Sequence, residues 1–261
     1  MKLHRLQSHW DRLGETDPMW AILTKPGTRG QQWDESSFFQ TGRVEIRFRM
    51  RDLAERGIYP SGSALDFGCG IGRLSQALAE RFDRVTGVDI APTMIQKAQQ
   101  LNRFPDSCTY VVNAAPHLQI FPDSAFDFIY SNITLQHMEP EYAFGYLAEF
   151  VRCLKPGGTL LFQLPDHESG RGMADTMRRW AKRWLGMRNY RRLSDIGQSL
   201  VFGFRPRMEM YGTNPELVRN ILEQAGARVL DVWPNDHAGG NWISYWYACS
   251  LDPHDMGHDL G

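Results

Sequence analysis

Glycines 68, 70 and 72 stand at alternate positions in ALDFGCGIGRLS (64–75), and they constrain this chain more than any other feature. An apolar run, Ser63–Phe67, precedes them, and Leu74, Ala77 and Leu78 follow at helical spacing. A strand, a glycine loop and a helix in that order bring bare backbone close to a ligand. Seventeen residues beyond Gly72, Asp89 closes the next apolar run, where a carboxylate can accept from two ribose hydroxyls. The dinucleotide pattern G-x-G-x-x-G requires glycine at 73, and Arg73 stands there. No lysine–hydroxyl pair makes a phosphate loop either. The pattern therefore predicts a site for an adenosine moiety without a pyrophosphate.

From about residue 61 the chain alternates strand-like and helix-like segments, the signature of a parallel α/β sheet. Expected strands are Ser63–Phe67, Arg84–Ile90, Cys108–Val112, Phe126–Ser131, Thr159–Leu164, Ala227–Trp233 and Trp242–Ser250, the last two forming a hairpin. Pro92 suits a first helical turn. Residues 140–154 carry the stripe Phe144, Leu147, Val151 and Leu154, and Lys155-Pro156-Gly157-Gly158 ends that helix. Thr213 and Glu216 read as a capping box ahead of Leu217, Ile221 and Leu222. The expected organisation is an N-terminal helical, aromatic cap (1–60) and a catalytic domain (61–261) interrupted by an insertion at about 166–210.

Composition narrows the function classes. The formal net charge of −1 does not make an electrostatic nucleic-acid binder. Cys69, Cys108, Cys153 and Cys249 form no CxxC pair, so no metal site is expected. Free thiols, the lack of an apolar leader in MKLHRLQSHWDRLG and the absence of a membrane-spanning run together predict a cytoplasmic protein.

Five segments carry a resemblance. LDFGCGIG, GVDI (87–90), VNAA (112–115), FDFIYSN (126–132) and LKPGGTLLF (154–162) resemble, in order and spacing, the motifs of class I S-adenosylmethionine-dependent methyltransferases. The resemblance covers roughly residues 60–165. It implies a Rossmann-like fold: a seven-stranded, mostly parallel sheet with an antiparallel last strand and helices on both faces. It further implies S-adenosylmethionine as cofactor. Gly68, Cys69, Gly70 and Gly72 would pass under its methionine part, with Asp66 near the ammonium group. Asp89 would hold the ribose, Ile90 would pack on the adenine, Asn113 would meet the adenine edge, and Ala114 would leave room for the ring. Asn132 would face the methionine end. Where the family often has Asp, Asn113 keeps the acceptor oxygen.

Methyl transfer from a sulfonium is an in-line displacement, so positioning supplies much of the catalysis. A hydroxyl nucleophile gains from a general base. His137, in SNITLQHM after strand four, is the first candidate, since histidine titrates near neutrality. Asp166 and His167 after strand five are further candidates, and so are Asp236 and His237 after strand six. WDESSFFQTGR (33–43) suggests an aromatic lid, with Phe39 or Phe38 near the sulfonium.

Between 171 and 192 eight basic residues face only Asp175, with Met173, Met177, Trp180 and Trp184 at helical spacing. That segment reads as a packed helix with a solvated face, a lid for an anionic substrate, or a contact with an acidic membrane surface through 173–192. The Asn/Asp-Pro-Pro-Tyr/Phe motif of base-methylating enzymes is absent, for Ser131-Asn132-Ile133-Thr134 stands there. The expected acceptor is a small molecule with an anionic or apolar part, methylated on oxygen or nitrogen, and no nucleic acid is expected as partner. A macromolecular acceptor and a protein that only binds the cofactor are the alternatives.

Overall fold

The computed structural model describes residues 2–169 and 209–252. The elements are α1 (Leu3–Thr16), α2 (Pro18–Ile22), α3 (Glu35–Ala54), β1 (Ser63–Phe67), α4 (Arg73–Ala79), β2 (Arg84–Asp89) and α5 (Pro92–Gln100). After them come β3 (Cys108–Val112), β4 (Phe126–Ser131), α6 (Pro140–Cys153), β5 (Leu154–Glu168), α7 (Pro215–Gln224), β6 (Arg228–Asn235) and β7 (Trp242–Ser250). One seven-stranded sheet in the order β3-β2-β1-β4-β5-β7-β6 holds them together. β1 to β5 pair in parallel, and β7 enters antiparallel between β5 and β6.

Side chains alternate across the sheet with the period of two that a pleated strand imposes. Leu65, Phe67, Ile129, Leu160 and Phe162 join the core under α6 and α7, while Ala64, Phe128, Tyr130, Leu161 and Trp246 join the core under α3 and α4. Phe128 stacks on Phe82 with ring centroids 5.1 Å apart and lies over Tyr130 at 6.1 Å.

Helix starts follow local chemistry. The Asp34 carboxylate accepts from Ser37 N at 2.7 Å, and prolines occupy the first turns of α5, α6 and α7. At α7 the capping residue is Asn214, which accepts from Glu216 N at 2.8 Å. The expected cap, Thr213, is instead buried, its own N–H donating to Pro165 O.

β5 is longer than the apolar run suggests. Leu154 already pairs with Phe126, and Lys155 to Gly158 bulge out before Thr159 resumes opposite Phe128. At its far end His167 and Glu168 pair with Ile243 and Trp242 of β7. Residues 166–168, expected to begin the insertion, are thus strand; the basic segment 171–192 lies outside the described residues.

The N-terminal helices take two places. α3 lies along the sheet face, with Ile46 and Leu53 in the core beside Leu74 of α4. α1 packs on α5, where Asp11 accepts from Thr93 N and Oγ1, and Gln7 donates to Ile90 O at 3.1 Å. Among the described residues no helix is long and apolar enough to cross a membrane. Strand order reverses between β1 and β4, which opens a crevice at their carboxyl ends.

Truncating Phe128, fully buried at the sheet centre, removes two ring contacts along with its apolar area. Phe128→Ala is expected to lower unfolding free energy by about 3–5 kcal/mol, measured by urea denaturation.

Candidate active site

A cavity of about 390 Å³ fills the crevice. Gly68, Cys69 and Gly70 form its floor, Asp89, Ile90 and Asn113 one wall, and the segment from Asn132 to Met138 another. Leu6 and Trp10 of α1, with Ala21 to Thr24, cover it, while His237 to Gly239 close the side toward β6.

Gly68 has φ +80°, and a Cβ there would run into the Thr134 side chain. Only glycine lets the Asn132–Thr134 loop rest on the floor. Gly70, at φ +53°, donates its N–H to Asp89 Oδ2 at 2.9 Å, while Ala91 N donates to Asp89 Oδ1 at 2.9 Å. Each carboxylate oxygen so keeps a lone pair for a ligand hydroxyl. Burial raises the Asp89 pKa above the ordinary value, against the pull of these N–H groups. Asn113 spends its amide hydrogens on His117 O (2.9 Å) and Ala115 O (3.4 Å), so its oxygen is the group left for a ligand.

Behind the Asn132 wall lies a buried charged network. Arg73 Nη2 meets Glu45 Oε2 at 2.8 Å, and Tyr130 donates to Glu45 Oε1 at 2.9 Å. Asn132 Nδ2 donates to the same Oε1 and lies 3.0 Å from His237 Nδ1. Burial alone would raise the Glu45 pKa, but Arg73, His237 and the two side-chain hydrogen bonds outweigh it and hold the carboxyl below its usual range. Asn132 Oδ1 is buried and has no partner among the described residues.

Ile133, next in the loop, has φ +57°, a strained conformation for a β-branched residue. It is held there by its N–H, which donates to Gln163 Oε1 at 3.1 Å. His137 follows in a short 3₁₀ turn; its Nδ1 lies 3.0 Å from Glu209 O, and its ring packs edge-on against Trp10. Burial lowers the His137 pKa, opposed in part by the Glu209 carbonyl.

Comparison with known proteins gives the family. Residues 65–162 match the family described as a methyltransferase domain. A trans-aconitate 2-methyltransferase of Methylobacterium radiotolerans is 30% identical over 209 residues, covering 76% of this chain and 73% of that protein. This chain belongs to the S-adenosylmethionine-dependent methyltransferases. A trans-aconitate 2-methyltransferase of Enterobacter sp. (strain 638) is 33% identical over 137 residues, and there the chain spans about half of the relative's length (52%). The crystal structure of magnesium protoporphyrin IX methyltransferase from Synechocystis PCC 6803 with bound SAH shares the fold, with a TM-score of 0.61 at 18% identity, over 95% of this chain and 99% of that one.

The methyltransferase cavity fits the cofactor on its own evidence. The glycine floor admits close approach, Asp89 keeps two lone pairs for vicinal hydroxyls, and Asn113 turns an oxygen toward the wall. The buried, unpartnered Asn132 Oδ1 awaits a donor. Asp89, Ile90 and Asn113 would hold the adenosine part, and Gly68 to Gly70 with Asn132 the methionine part.

Of the residues singled out from sequence, Gly68, Cys69, Gly70, Asp89, Ile90, Asn113, Asn132, His137 and His237 line the cavity. The others do not. Asp66 is buried behind the floor and accepts from Ser75 Oγ at 2.6 Å. Gly72 caps α4 in the left-handed region, and Ala114 is exposed beyond the wall. Phe39 is buried with Phe38, 5.4 Å beneath the Arg103 guanidinium, because α3 packs into the core instead of over the site. Asp166 and His167 pair with each other at 2.9 Å on the outer stretch of β5. Sequence reasoning missed Glu45 and Trp10. A helical glutamate and an isolated aromatic give no motif, and only the tertiary fold brings them to the site.

Two substitutions test this account. Asp89→Ala removes both ribose acceptors, at about 1.5–3 kcal/mol per charge-assisted hydrogen bond. Calorimetry with S-adenosylhomocysteine should show affinity falling about 100-fold or more, and an unchanged affinity would refute the assignment. Asp66 carries a pKa pushed up to about 7, chiefly by burial, well above the usual carboxylate range. A carboxyl with a raised folded pKa contributes stability below its unfolded pKa and loses it as pH climbs through the folded one. Wild-type unfolding free energy should therefore drop between pH 4 and 7 relative to Asp66→Asn, by an amount on the order of 2–4 kcal/mol.

Proposed function

We propose that this methyltransferase methylates an oxygen or nitrogen of a small molecule with an anionic or apolar part, held beside Asn132, His137 and His237. The observation that carries the reading is the cavity itself. Leu6, Trp10, Ile22, Met138 and Tyr146 make its lining largely apolar, and a few polar groups converge on one end. That division suits an acceptor positioned by shape and oriented by one or two hydrogen bonds. The roof from α1 and α2 favours a compact acceptor over a polymer. The names of the bacterial relatives give trans-aconitate as what they methylate, which supports a small acid among the candidates.

When bound, S-adenosylmethionine supplies an electrophilic methyl group on sulfur. The chain's own work is to seat the acceptor and exclude water. Leu6, Trp10 and Ile22 exclude water from above. Asn132, fixed by Glu45, orients polar groups at the reacting end. His137, whose pKa burial lowers, adds an uncharged polar ring to that end of the cavity, held by Glu209 O and the Gln136 amide. We place the activity in the cytoplasm and count nucleic acid out as a partner, in keeping with the overall charge of −1.

The experiment supplies methyl-labelled S-adenosylmethionine and a cell extract to the purified protein, then separates small-molecule, lipid, protein and nucleic-acid fractions. Label is expected with the small molecules or lipids. Label confined to protein or RNA would overturn the proposal.

A further inference from the structure

Three residues of the roof rest on three margins of the same floor. Ile22 of α2 sits on Gly70, where an added Cβ would lie 2.5 Å from Ile22 Cδ1. Gln7 of α1 donates to Ile90 O at 3.1 Å. Trp10, one turn on, packs edge-on against His137 with ring centroids 5.8 Å apart. The glycine floor, the residue after β2 and the loop after β4 thus each carry a contact from the roof. Asp89, Asn113 and Gly68 to Gly70, the residues fitted to the cofactor, lie in the cavity it covers. A rigid roof would hold a cofactor in or keep it out. Each turnover uses one S-adenosylmethionine and leaves one S-adenosylhomocysteine, so both must pass.

Polar bonds fasten this roof to the body. Asp11 Oδ1 accepts from Thr93 N at 3.1 Å and from Thr93 Oγ1 at 2.9 Å, which ties α1 to the first turn of α5. With the Gln7 bond to Ile90 they form a latch. Water replaces bonds of this kind when a helix lifts, so they hold the roof without fixing it. Leu13 and Ala21 add a small apolar seam with Ala91 and Met94. Within the roof, α2 and the loop behind it are tied to each other. Gly30 N and Gln31 N donate to Asp17 Oδ2 at 2.6 and 3.1 Å, and Trp33 Nε1 donates to Leu23 O at 3.2 Å. α3, by contrast, belongs to the fixed core, for Phe38, Ile46 and Leu53 are buried.

We propose that α1 and α2 form a gate for the cofactor, latched by Asp11 on Thr93 and Gln7 on Ile90 and hinged ahead of Asp34. The gate lifts off α5 as one body, from α1 to Trp33, to let S-adenosylhomocysteine out and S-adenosylmethionine in. The competing route is the cavity margin at Met210 and Gly239, which the roof does not cover. A latch whose bonds are present in the free and the loaded protein alike changes how often the gate opens and leaves affinity unaltered. A residue that touches the ligand does the reverse: its loss speeds departure and weakens binding. The proposal concerns exchange of the cofactor and does not depend on which acceptor is methylated.

Stopped-flow tryptophan fluorescence with S-adenosylhomocysteine reads the association and dissociation rates without any turnover. Gln7→Leu combined with Thr93→Val removes two side-chain donors of the latch and keeps the size of both residues. Both rates should rise about 10-fold together, with Kd within about twofold of the unsubstituted protein. Unchanged rates would mean entry by the Met210 and Gly239 margin. Faster dissociation at an unchanged association rate would make these residues ligand contacts. Either result overturns the gate. A second pair of substitutions shuts it. A Cβ on Gly14 would lie 3.1 Å from Thr93 Cβ, so Gly14→Cys with Thr93→Cys needs a shift of only a few tenths of an ångström to reach disulfide range. Loaded with labelled S-adenosylhomocysteine and then oxidised, that protein should lose its label about 10-fold or more slowly than the same protein reduced with dithiothreitol. Equal loss from the oxidised and reduced forms would overturn the proposal.

Discussion

The ion pair between Arg73 and Glu45 is the contact on which the Asn132 and His237 side of the cavity depends. The two side chains are only 5% and 13% exposed, so each would be costly to bury alone. Together they are compensated, and Tyr130 and Asn132 use the remaining acceptor capacity of the carboxylate. A buried pair of this kind adds little net stability compared with apolar packing. Its consequence here is orientational. An ionised carboxylate dictates which face of the Asn132 amide points inward, and through that amide the ring of His237. The same contact joins α3 to the first turn of α4, which immediately follows the glycine floor.

Around this charged centre the loop after β4 is under strain and well braced. Ile133 stays in the left-handed region because Gln163, Gln136 and Ser244 form a buried chain that gives its N–H an acceptor. Thr134 sits over Gly68, where any side chain would collide with it. Strain of about 1–3 kcal/mol of this type persists only where neighbours over-determine the conformation. What it yields is a wall that brings Asn132 and His137 to one cavity from a single short segment. α1 completes the enclosure, tied down by Asp11 on Thr93 and Gln7 on Ile90.

What could be read from the sequence follows the range of the interactions. The floor and the Asp89 wall rest on contacts within a strand–loop–helix unit or between adjacent strands, so glycine spacing and the position of Asp89 reveal them. The seven strands and the terminal hairpin follow from alternation, and the mostly parallel sheet with its antiparallel last strand from the resemblance that the five ordered motifs carry. Glu45 and Asn132, by contrast, are 87 positions apart and meet only because α3 crosses the sheet face. The aromatic density of 33–43 suggested a lid, but Phe38 and Phe39 are buried in a core with Ile71 and Met94. Composition cannot separate an aromatic that covers a ligand from one that fills a core; Trp10, alone on its helix, does the covering. Asp166 and His167 looked like site residues because they follow a strand, yet β5 runs on past them in its pairing with β7.

This division explains why cofactor and acceptor are so unequally legible in such a chain. The residues that would hold the cofactor are bare glycines, one carboxylate and one amide, fixed by geometry within a strand–loop–helix unit and between neighbouring strands. The rest of the cavity is lined by side chains from α1, the loop after β4 and the turn after β6, which share no local pattern. Their chemistry is set by proton positions that no residue type specifies by itself: a histidine nitrogen donates or accepts according to whether a carbonyl or an amide N–H lies beside it. The two histidines that line the cavity are set by Glu209 O and, through Asn132, by Glu45, neither of which belongs to a motif.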